Sequence, residues 1–113
     1  LKRPHRMISA LALTPEEKLT VTTLLKEFVP DKEVWVFGSR AKGTAKPYSD
    51  LDLAIIGEEP LPLLVRVGLE EAFSSSLLPW KVDVLDWATT DTVFRDLIQK
   101  DHIVIQPPLE NPS

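Results

Sequence analysis

A chain of 113 residues with 43% hydrophobic side chains can bury one core, so a single domain is expected. The net charge of −4 argues against long nucleic acid held on a basic face, and setting aside the basic opening "LKRPHR" leaves ten basic against seventeen acidic residues. With no cysteine there is no disulfide framework or thiolate metal site, and no window reaches the roughly 18 apolar residues a membrane span needs; the chain reads as soluble, unexported and cytoplasmic.

Residues 1–13 read as an N-terminal arm, in part vector-derived, residues 14–106 as the folded domain and residues 107–113 as a flexible tail. Thr14-Pro15-Glu16-Glu17 marks a helix start, with Thr14 as cap, Pro15 at the first helical position and Glu17 closing a capping box. That helix runs to about Val29, where Pro30-Asp31 breaks it. Val34 to Phe37 is a short run of strand formers that Gly38 ends. Arg40 to Ala45 has room for one or two helical turns, and Leu51 to Ile56 forms a second strand that Gly57 terminates. Leu61 to Ser76 follows as a helix with Leu61, Leu64, Val65, Gly68 and Ala72 on its apolar side. Lys81 to Trp87 alternates as a third strand, Thr90 or Asp91 caps a helix through Lys100, and His102 to Gln106 is the last strand. Strands alternating with helices give an α+β domain of two or three layers.

The chemistry concentrates in "VWVFGSRAKGTAKPYSDLDLAII", Val34 to Ile56. Residues two apart on a strand share a face, so Asp50 and Asp52 point one way while Leu51, Leu53 and Ile55 point the other. Two ionised groups about 4 Å apart repel by roughly 4 kcal/mol at an effective dielectric near 20, so something must offset them. For an isolated Asp-x-Asp, water and a nearby lysine suffice. Here Gly38-Ser39 ends the preceding strand, and a short helix starting there offers free N–H groups to phosphate. A ten-residue connection, Arg40 to Ser49, suits antiparallel neighbours and brings the turn beside the acids. Mg²⁺ binds through carboxylate and phosphate oxygens, so Asp50 and Asp52 are candidates to hold metal that also grips a nucleoside triphosphate. "KVDVLDW" offers a third acid: Asp83 sits inside an apolar alternation, whereas Asp86 falls at the strand's end and reads as solvated.

Gly38-Ser39, the spacer, Asp50-x-Asp52 and a later strand with Asp83 resemble the minimal nucleotidyltransferases of the DNA polymerase beta superfamily. The likeness runs through "GSRAKG", "YSDLDLAI" and "VDVLDW" and spans about Thr14 to Gln106, although relatives often have an acidic residue and glycine where this chain has Asp101-His102. It implies a polymerase-beta-like fold, a mixed sheet with helices packed on it. It also implies that Gly38 and Ser39 bind triphosphate, and that Asp50, Asp52 and Asp83 bind two Mg²⁺ and activate an acceptor hydroxyl. Minimal members typically pair with a HEPN-domain protein in toxin–antitoxin systems, so the resemblance points to AMP transfer from ATP onto that partner.

Arg40, Lys42 and Lys46 are weaker candidates for phosphate contact, Arg40 foremost, and Ser49 either orients the acids or begins the strand. His102 reads as structural, and Trp35, Trp80 and Trp87 as core or half-buried residues. Two other functions compete with the enzyme: a module that masks its HEPN partner without catalysis, and a small-molecule transferase of the aminoglycoside-modifying kind.

Overall fold

The computed structural model describes residues 11–109. Helix α1, Pro15–Phe28, opens with the expected capping box: the Thr14 side chain accepts from the Glu17 N–H at 3.1 Å, and Glu17 Oε1 accepts from the Thr14 N–H at 3.0 Å. Strand β1, Glu33–Phe37, leads into the single helical turn α2, Ser39–Lys42, and strand β2 is Leu51–Ile56. Helix α3 is Leu63–Ser74, strand β3 is Val82–Asp86, helix α4 is Thr92–Lys100 and strand β4 is His102–Gln106.

The strands form one sheet in the order β3-β2-β1-β4, with β1 antiparallel to both neighbours and β2 parallel to β3. The mixed sheet with packed helices is thus the one the sequence implies. Helix α3 crosses over between the two parallel strands, as such a connection requires. On one face Val34, Val36, Leu51, Leu53, Ile55 and Val84 pack against Val21 and Leu25 of α1 and Leu69 and Phe73 of α3. On the other, Trp35 and Ala54 pack against Ile98 of α4. The domain is a three-layer sandwich.

Several boundaries move, each for a local reason. The middle helix is shorter than 61–76 at both ends, and its buried side is Val65, Leu69 and Phe73 rather than one through Leu64, which is 84% exposed. Gly68 belongs there because a Cβ would come within 2.9 Å of Phe28 Cε1, so its lack of a side chain lets α1 and α3 approach. The third strand stops at Asp86, whose carboxylate caps the 3₁₀ turn Trp87–Thr89 and pulls Trp87 out of the ladder. The arm is shorter than 1–13, since Ala12 exchanges backbone and side-chain hydrogen bonds with Arg40 and Leu11 and Leu13 pack on the core. Residues 1–10 of the arm and 110–113 of the tail lie outside the described residues.

Candidate active site

The site begins where β1 ends. Gly38 takes φ +76°, a region open to glycine at no steric cost, and turns the chain into α2. A Cβ on Gly38 would overlap the Asp52 carboxylate oxygen Oδ2 and stand 3.3 Å from Asp52 Cγ. The Gly-Ser turn and the second acid are therefore packed together, as a ten-residue antiparallel connection demands. Gly38 O accepts from the Ala41 and Lys42 N–H groups, and Gly43, at φ +82°, closes the turn.

The loop back to Asp50 is fastened by Arg40, and here the expectation needs correcting. Arg40 is only 5% exposed. Its Nε and Nη2 donate to the Ser49 carbonyl at 3.0 and 2.8 Å, Nη1 to the Ala12 carbonyl at 2.8 Å and Nη2 to the Pro47 carbonyl at 3.3 Å, while the guanidinium lies 4.4 Å from the Trp80 ring centroid. Its donors are committed to backbone, so its side chain orders the loop rather than reaching phosphate. Ser49 also acts locally, its hydroxyl accepting from the Lys46 N–H at 2.8 Å. Lys42 and Lys46 are exposed.

Asp50 is exposed just ahead of β2. Asp52 is the second residue of β2, opposite Phe37 of β1 and level with Asp83 of β3. Alternation puts Asp52 and Asp83 on the face that also carries Ala54 and Leu85, away from the Leu51–Leu53–Ile55 core. Two carboxylates thus stand on one rung of adjacent parallel strands, which lie about 4.8 Å apart. Burial, then the charge of Asp83, then that of Asp50, push the Asp52 carboxyl up from 3.8 to about 6. Lys81 Nζ lies 3.4 Å from Asp83 Oδ1, and both side chains are well exposed.

Asp86 departs from its expected solvated state. It is 6% exposed, and its carboxylate accepts from the Leu61 N–H at 2.8 Å and the Ala88 N–H at 3.3 Å, so it anchors the entries to α3 and the 3₁₀ turn. Arg66 is a residue the sequence did not single out. Its Nη2 donates to the Val84 carbonyl at 2.8 Å and its Nε to Glu70 Oε2 at 3.2 Å. The Glu70 pair is visible as an i,i+4 spacing, but the bond to β3 depends on where α3 crosses the sheet. His102 stacks on Trp35 with centroids 3.8 Å apart, and its Nδ1 lies 3.0 Å from the Gln99 carbonyl oxygen, in keeping with its structural reading.

Among the described residues no three acidic or histidine side chains form a ready-made metal cage. The donor set nevertheless suits a hard divalent cation: burial and then the charges of Asp83 and Asp50 raise the pKa of Asp52, and Lys81 is the only cation within 4 Å of these acids among the described residues.

A turn against one of two paired acids is what the resemblance to nucleotidyltransferases implies, and comparison with known proteins gives the family. Residues 20–107 match the family model described as "Nucleotidyltransferase domain". Over 96 residues the chain is 60% identical to a protein of Haemophilus influenzae named "Probable protein adenylyltransferase MntA", covering 85% of this chain and 84% of that one. In structure it resembles a chain from a toxin–antitoxin crystal structure with AMP-PNP: TM-score 0.68, 24% identity, 80% of this chain and 73% of that one. It also resembles a chain from the complex of tri-AMPylated Shewanella oneidensis HEPN toxin with MNT antitoxin: TM-score 0.60, 22% identity, 80% and 69%. At these identities the two structures speak for the fold alone. The family match over most of the chain and the 60% identity carry the assignment: this chain belongs to the nucleotidyltransferase domain family, among its minimal members.

Proposed function

We propose that the chain is a protein adenylyltransferase that moves AMP from ATP to a hydroxyl of a HEPN-domain partner in the cytoplasm, and so acts as the antitoxin of a pair. The observation that carries this reading is the single rung shared by Asp52 and Asp83, with the Gly38 turn packed against Asp52. The partner is drawn from the relatives: one is named a protein adenylyltransferase, and another was crystallised with an AMPylated HEPN toxin.

Asp50, Asp52 and Asp83 are the residues that would hold Mg²⁺, which when bound supplies positive charge to the triphosphate and to the attacking oxygen. Gly38 and Ser39 would receive the phosphate chain, because they begin the α2 turn directly beside Asp52, and the first backbone N–H groups of a helical turn suit an anion. Asp83, at the rim and half exposed, is the acid that an incoming hydroxyl reaches, and it would orient that group and take its proton. Arg40 and Ser49 would act indirectly, by holding the loop that delivers Asp50.

The test is incubation of the purified chain with ATP, Mg²⁺ and its HEPN partner, followed by mass spectrometry of both proteins. One or more AMP additions on the partner, lost with Asp50→Asn plus Asp52→Asn, are expected. A double variant that still protects cells from the partner, with no mass change under wild type, would replace transfer by masking.

A further inference from the structure

Helix α3 buries one apolar side and leaves another in solvent. Leu63 and Leu64 are 72% and 84% exposed, and Val67, one turn on, is 45% exposed. Spacings of three and four residues put these side chains on one face, opposite the buried Leu69 and Phe73, and the exposed Pro60 and Pro62 carry the patch back along the entry loop. Helix α1, which packs beside α3, exposes a single large apolar side chain, Leu19. Lone exposed leucines are ordinary on a surface, whereas a cluster at helical spacing marks a contact. The surround of this cluster has a sign. Residues 57–74 carry Glu58, Glu59, Glu70 and Glu71 against Arg66 alone, and Arg66 is taken up by the Val84 carbonyl and Glu70. Lys32, whose ammonium lies beside Gly57, leaves the acids still in excess.

We infer that this face of α3 is a docking surface for the acceptor protein, seating an apolar helix face bordered by lysine or arginine and lying apart from the acids that carry the chemistry. The row from Leu63 to Val67 is a ridge of the kind that packs into the groove of another helix. A second copy of the chain seated on the same patch would bring acidic rim against acidic rim, whereas a basic border offsets it. Asp52 stands near the start of β2, while α3 follows the other end of that strand and is tied there by the bond from the Leu61 N–H to Asp86. Four residues of strand, about 13 Å, separate the two ends, and a partner of domain size spans that distance. This inference rests on the adenylyltransferase reading above and deepens it: holding the partner and attacking the phosphate belong to different surfaces, so the partner can stay bound before and after AMP is transferred.

Leu63→Gln combined with Leu64→Gln tests this on the intact chain with its HEPN partner. Calorimetric affinity for the partner is expected to fall on the order of tenfold, with Tm and ATP affinity unchanged. In the transfer assay KM for the partner is expected to rise by a similar factor while kcat and KM for ATP hold. Glu58→Lys with Glu59→Lys is expected to weaken binding as well and to reduce its dependence on salt. Wild-type affinity in the glutamine pair overturns the inference. So does a wild-type chain that sediments as a dimer which the glutamine pair dissolves, since the occupant is then a second copy. Wild-type protein that binds the partner but transfers no AMP removes the transferase reading alone, and one that neither binds nor modifies the partner removes both.

Discussion

Asp52 and Asp83 stand level on neighbouring strands, yet one sits at the centre of the sheet and the other at its margin. Asp52 is enclosed by β1, the Gly38 turn and two other carboxylates, and its proton is held up to about pH 6. Asp83 is on an edge strand, roughly half exposed and beside a solvated lysine. Identical side chains thus occupy unequal environments, which suits a fixed group on one side and an accessible one on the other. Ordered structure leads into the central acid: the Gly38 turn packs against it, and the loop that Arg40 fastens runs into the strand that carries it.

Arg40→Met should give the largest effect on that contrast. It leaves the carbonyls of Ser49, Ala12 and Pro47 without their donor, at a cost of about 3 kcal/mol, or roughly 15 °C in Tm by calorimetry. A loss below about 1 kcal/mol would mean that the loop carrying Asp50 does not depend on this fastening.

Gly38→Ala comes next, because its methyl group meets the Asp52 carboxylate at a backbone angle that L residues avoid. About 2 kcal/mol of stability should go in urea unfolding, together with most triphosphate affinity. Wild-type stability would show that turn and acid are not packed together in solution.

Asp52→Asn should act through pH. Asp52 binds its proton more tightly folded than unfolded, so between about pH 4 and 6 the native state carries the extra proton and stability falls as pH rises. The asparagine variant should lose that fall and be the more stable protein above pH 6, in metal-free buffer. Parallel stability curves for the two proteins from pH 4 to 7 would contradict the crowding of Asp52.

Lys81→Ala should do least, within about 0.5 kcal/mol, since exposed ion pairs contribute little. A larger loss would make the edge acid as dependent on its surroundings as the central one.

What the sequence revealed were the local signals. Thr14, Pro15 and Glu17 announce α1, Asp91 caps α4 by accepting from the Phe94 N–H, and Asp50-x-Asp52 after a Gly-Ser turn marks the site, because each is set by neighbours a few residues away. The unread features span the fold. That Asp52 and Asp83 share a rung depends on α3 returning the chain parallel to β2. Asp86 is buried by a bond to Leu61, 25 residues earlier, and Arg40 is turned from a phosphate candidate into a fastener by Ala12, 28 residues earlier, so neither could be judged from local polarity. The side of α3 was misread at Leu64 because an i,i+3,i+4 pattern starting one residue off gives a second plausible stripe, and packing against Phe28 selects between them.

Arg66 has a further consequence for the margin of the sheet. The Lys81 carbonyl faces β2, where it accepts from the Leu51 N–H, and alternation therefore turns the Val84 carbonyl outward. An open row of such groups is a template on which another chain can add a strand and begin to aggregate. By donating to that oxygen, Arg66 plugs the row midway along β3. The strand that bears Asp83 can thus stay uncovered while resisting extension by a foreign backbone.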